Sequence, residues 1–122
     1  TGFSQTTMVG GGYDHCFVID RGRGASQSLC AWASSDKTGI SMKVYTTQPG
    51  VQLYTGNFLQ DCPAPGKGSV PMQKYGGFAL ETQHFPCSPS HPEFPSTALR
   101  AGKVFRANTT LRFFTGKQCG KL

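Results

Sequence analysis

Along residues 40–47, ISMKVYTT, the positions Ile40, Met42, Val44 and Thr46 alternate with Ser41, Lys43, Tyr45 and Thr47. A period of two gives an extended chain one apolar and one wetter face, so this stretch predicts a half-buried β-strand. Three more runs rich in β-branched and aromatic residues, HCFVID at 15–20, SLCAWAS at 28–34 and VQLYTGNF at 51–58, predict strands as well. The breaks between them carry turn chemistry. DRGRG at 20–24 and SSDKTG at 34–39 read as hairpin-like connections, and Gln48-Pro49-Gly50 places proline at the first central position of a tight turn.

Downstream the pattern is interrupted twice. Pro63, Pro65, Gly66, Gly68 and Pro71 make 60–74 a loop, and Pro86, Pro89, Pro92 and Pro95 do the same for 86–96, since proline lacks the donor a central strand needs. VFRANTTLRFF at 104–114 alternates again and predicts a closing strand or hairpin arm, and Gly116, Gln118, Gly120 and Lys121 a frayed tail. The expected class is all-β with about six to eight strands. The expected organisation of 1–122 is a single domain or a portion of a larger one.

Composition agrees with strands and turns, with sixteen glycines, eight prolines and only 15% charged residues. The net charge of +6 comes from singly scattered Lys and Arg, which suits a solvated surface and gives no reason to expect nucleic acid as a partner. No apolar run has the length of a membrane span, and the N-terminus lacks a signal-peptide succession, so a membrane is not an expected partner. Cysteines 16, 30, 62, 87 and 119 form no C-x-x-C pair and no metal-like spacing with His15, His84 or His91. Reduced thiols in a cytoplasmic protein are the simplest expectation. Asn108-Thr109-Thr110 is a glycosylation acceptor pattern, meaningful only in a secreted protein.

Only six carboxylates are available for chemistry. Asp20, Asp36 and Asp61 sit in turn or loop settings that use aspartate structurally, and Glu93 follows a proline in a loop. Asp14 in GGYDHCF and Glu81 in GGFALETQHFP remain, each after a glycine pair and an aromatic. Glu81 reads either as a base held in an apolar setting, where the ionised form is disfavoured, or as a hydrogen-bonded structural acid. Aromatic residues in the same segments, Tyr13, Phe17, Tyr45, Tyr54 and Phe78 among them, fit either a core or the lining of a carbohydrate pocket. Nucleophile-elbow and phosphate-loop patterns are missing from the sequence.

Read in order, GYDHCFVI, VYTTQPGVQLYTGNFL, GGFALETQHFP and HPEFPSTALRAGKVF resemble the C-terminal part of the aldose 1-epimerase (galactose mutarotase) family, over about Gly12 to Phe114. The resemblance implies part of a galactose mutarotase-like β-sandwich of the supersandwich type. It implies interconversion of the α and β anomers of galactose, glucose and related aldoses, with no cofactor and no metal. It assigns the general base to Glu81 and sugar contacts to Asp14 and Gln48. The family's general acid is a histidine of an N-H-x-Y-F-N-L type motif further upstream, and His15, His84 and His91 do not match it. With Thr1 rather than Met in first place, the expectation is one part of a longer or nicked enzyme. A companion chain or self-association would then cover its open strands, and the alternatives are a non-catalytic carbohydrate-binding module or a structural or interaction protein that shares the fold without the chemistry.

Overall fold

The computed structural model describes residues 11–22 and 26–115. Six strands are formed among the described residues: β1 (Asp14–Val18), β2 (Ser28–Ser34), β3 (Ile40–Thr46), β4 (Gly50–Tyr54), β5 (Ala79–Gln83) and β6 (Thr109–Thr115). They make two three-stranded sheets, ordered β1-β4-β5 and β2-β3-β6. Among the described residues the only helices are single 3₁₀ turns in the two proline-rich loops and their flanks, at Leu59–Asp61, Lys67–Ser69 and Ser88–Ser90. The chain is therefore all-β, in keeping with the sandwich that the motifs imply.

The alternation of 40–47 gives the central strand of the second sheet. β3 pairs antiparallel with β2 and β6, placing Val44 opposite Ala31 and Leu111, and Met42 opposite Ala33 and Phe113. Val44 is only 2% exposed and anchors this sheet. On the opposite face, Lys43 Nζ lies 5.9 Å from the Phe114 ring centre and the Arg112 guanidinium 5.3 Å from that of Tyr45, so both cations cover aromatic surface on a neighbouring strand. Between Leu29, opposite Tyr45, and Ala31, opposite Val44, the strand β2 carries one extra residue, Cys30. The Cys30 thiol donates to the Val44 carbonyl at 3.3 Å, and burial pushes its pKa up.

SSDKTG closes the β2–β3 hairpin as expected. The Ser35 N–H donates to the Ile40 carbonyl at 2.9 Å and the Gly39 N–H to the Ser35 carbonyl at 2.8 Å, with Gly39 at a φ of 69°. DRGRG is a different case: β1 and β2 belong to different sheets, so the connection between them is not a hairpin, and its Arg23 and Gly24 lie outside the described residues. Gln48-Pro49-Gly50 also links strands of different sheets, with bends at 47–49 in place of a closed turn. The closing strand starts at Thr109, five residues after the Val104 predicted, and the tail from Gly116 onward lies outside the described residues.

The described residues fall into two compact units, one from 11–17 with Gln52–Glu81, the other from the described part of 18–51 with 82–115. In the first, a fully buried Asn57 organises the loops. Its amide donates to the Tyr13 carbonyl at 3.0 Å and its Oδ1 accepts from the Thr55 hydroxyl at 2.7 Å, while the Tyr13 N–H donates to that hydroxyl at 2.8 Å. A Cβ on Gly12 would overlap Asn57 and Thr55, which explains a glycine directly before Tyr13. In the second unit, Thr47 and Asn108 exchange two bonds at 3.0 Å, from Thr47 N–H to the Asn108 carbonyl and from Asn108 N–H to Thr47 Oγ1.

Candidate active site

Two of the predicted site residues share one sheet. Asp14 opens β1 and Glu81 is the middle residue of β5, the two edge strands flanking β4. The Thr55 N–H donates to the Tyr13 carbonyl at one end of the β1–β4 pair, and the Ile19 N–H to the Pro49 carbonyl at the other, so the two strands run antiparallel. That pairing sets Asp14 and Gln52 on one face. Gln52 Nε2 donates to Asp14 Oδ1 at 2.7 Å, while Gln52 Oε1 is buried with no hydrogen-bond partner among the described residues. The amide is thereby aimed with its donor end at the carboxylate. Asp14 also donates its N–H to His15 Nδ1 at 3.1 Å.

Glu81 is exposed, although Leu80 and Thr82 beside it are half-buried. Its apolar sequence neighbours allow a desolvated carboxylate, but consecutive strand residues point to opposite faces, so burial of Leu80 and Thr82 does not bury Glu81. Gln48 belongs to the other unit and is 7% exposed. Its N–H donates to Thr46 Oγ1 at 3.1 Å, and its side-chain Oε1 is buried with no partner among the described residues. An acceptor left in that condition costs about 1–3 kcal/mol, and a donor such as a sugar hydroxyl would relieve it.

The aromatic residues next to Asp14 in the chain turn to the other face of the sheet. Tyr13, His15 and Phe17 alternate with it along the strand, and their rings approach one another, His15 at 6.0 Å and Phe17 at 6.2 Å from Tyr13, on the face away from Gln52. The other two histidines are engaged with rings or acids of the second unit. His84 lies 6.4 Å from the Phe105 ring, and His91 stacks on Phe94 at 4.8 Å with Nδ1 at 2.8 Å from Glu93 Oε1. No group of three or more potential metal ligands occurs among the described residues. Among the described residues no helix is long and apolar enough to cross a membrane.

The family model described as Aldose 1-epimerase matches residues 2–112. The chain belongs to the aldose 1-epimerase family. Individual relatives agree: the galactose mutarotases of Rattus norvegicus and Homo sapiens are each 40% identical to it over 102 residues, which is 84% of this chain and 29% of the relative. The aldose 1-epimerase of Escherichia coli (strain K12) is 38% identical over 105 residues, again 84% of this chain and 29% of the relative. The chain thus spans under a third of the length of the curated relatives it matches.

The structure adds partners that the family motifs do not announce. Gln52, the donor to Asp14, stands 38 positions away in sequence and looks like an ordinary polar strand residue in VQLY. Thr46, first threonine of the TTQPG motif, holds the backbone of Gln48. The pairing of β1 with β4 makes the first role visible, whereas the second is a local bond between residues two apart.

Proposed function

We propose that this chain is the C-terminal part of an aldose 1-epimerase, supplying the general base and two sugar contacts for interconversion of the anomers of galactose, glucose and related aldoses. The observation that carries this reading is the match to the aldose 1-epimerase family from residue 2 to residue 112. Its motifs hold Glu81, Asp14 and Gln48. In this reading Glu81 takes the proton of the C1 hydroxyl while an acid protonates the ring oxygen, and the C1–O5 bond opens to the free aldehyde. Rotation about C1–C2 and reclosure on the other face give the second anomer, with Glu81 returning the proton. Exposure suits Glu81 to meet a substrate hydroxyl. Asp14, aimed by Gln52, and the buried Gln48 Oε1 accept hydrogen bonds from sugar hydroxyls.

In this reading the acid lies in a part of the protein outside these residues, since none of His15, His84 and His91 carries the acid's motif. A longer polypeptide, a companion chain or a second copy then also covers the apolar residues left open on β6. Sugar binding without turnover is the second reading, favoured by the span of 29% of the relatives' length. Polarimetry of freshly dissolved α-D-galactose, on the chain together with the part that supplies the acid, separates the two. Glu81→Gln should lower turnover about 10²–10⁴-fold, the usual worth of a general base, with binding kept within a few-fold. Full activity in that variant would remove the base assignment, and binding with no turnover in the unsubstituted protein would favour the second reading.

A further inference from the structure

The motif residues after and before the proposed site residues meet in a line of threonine hydroxyls. Thr46 is fully buried; its Oγ1 donates to the Asn108 carbonyl at 3.2 Å and accepts the Gln48 N–H at 3.1 Å. Thr109, directly opposite Thr46 in the β3–β6 ladder, lies with its Oγ1 3.3 Å from that of Thr46 and 2.6 Å from that of Thr82. Each hydroxyl has one proton and two lone pairs. With the Thr46 proton on Asn108, Thr109 must donate to Thr46, and Thr82 must in turn donate to Thr109. The line therefore has a single direction, from Thr82 through Thr109 and Thr46 to the Asn108 carbonyl.

The two ends of this line matter for the site. Thr82 follows Glu81 in β5, and side chains of consecutive strand residues point to opposite faces, so a Thr82 held by Thr109 fixes the direction in which Glu81 emerges. Thr46 fixes the backbone of Gln48. We propose that Thr109 is a positioning residue, one that touches no substrate but sets Glu81 through Thr82 and Gln48 through Thr46. The proposal rests on the assignment of Glu81 and Gln48 given above. It accounts for a threonine at the start of β6 that is exposed, and that contributes no apolar burial to its sheet.

The test compares Thr109→Val, which keeps the shape and removes the hydroxyl, with Thr109→Ser, which keeps the hydroxyl. D-Galactose affinity of the 122-residue chain is read by titration calorimetry and melting temperature by circular dichroism. Thr109→Val should weaken galactose binding about tenfold, the scale of one lost hydrogen bond, and Thr109→Ser should restore it to within about twofold. Unchanged affinity in Thr109→Val, or a serine variant that stays as weak as the valine one, would overturn the proposal. If the unsubstituted chain alone does not bind galactose, its sugar contacts need the part of the protein that supplies the acid. The hydroxyl line is then decided by urea denaturation of Thr82→Val, Thr109→Val and the double variant: non-additive losses support it and additive losses overturn it.

Discussion

Gln52 is the residue on which the Asp14 carboxylate depends for its aim, because its amide donates at 2.7 Å while the other end of the amide is buried. This makes two substitutions separable. Gln52→Leu removes the donor and should weaken D-galactose binding several-fold, about the value of one charge-assisted hydrogen bond. Gln52→Glu places a second carboxylate against the first, and should weaken binding more at neutral pH than leucine does. Calorimetric titration of both variants with D-galactose checks this, and affinities equal to that of the unsubstituted chain would remove Gln52 from its role. Glu81 is exposed, and its glutamine variant tests the proposed base separately.

At the scale of elements, two turns show how much local geometry constrains the sequence. Gly56 has a φ of 71°, and a Cβ there would come within 2.5 Å of the Gly77 carbonyl, whereas Gly39 at 69° faces open space. Gly39→Ala should therefore cost about 1–2 kcal/mol for the left-handed conformation alone, and Gly56→Ala distinctly more, because backbone atoms must also move. Urea denaturation of the two variants side by side measures the difference. Elements of this kind were legible to different degrees. The period of two in 40–47 and the turn chemistry of SSDKTG predict β3 and its hairpin because both are local signals. β5 is five residues long and sits between a glycine pair and a proline, too short to display a period, and β6 begins late because the alternation from Val104 has no ladder until Thr109. The proposed site residues come from family motifs, but Gln52 and the threonine line come from contacts 27 to 63 positions apart in sequence, which no local pattern encodes.

For the molecule as a whole, one face of β3 and β6 carries Ile40, Leu111 and Phe113 with 48%, 52% and 65% exposure. Open apolar side chains gathered on one face favour association. The 122-residue chain should self-associate with rising concentration, and Phe113→Lys should reduce this, as sedimentation velocity would record; a monomer at every concentration would argue against the covering role proposed for another segment or copy. The same sheet also bears on how the chain tolerates changes in length. In a strand, losing one residue ordinarily turns everything on one side of the gap inside out. Cys30 is the exception in β2, since Leu29 already faces Tyr45 and Ala31 already faces Val44, which are themselves consecutive. Deleting Cys30 should leave a regular ladder with each remaining side chain on its present face, while deleting Ala33 should not, a contrast visible in their circular dichroism melts. A natural lineage of this fold can therefore gain or lose a codon at that one place in the strand without reorganising the sheet.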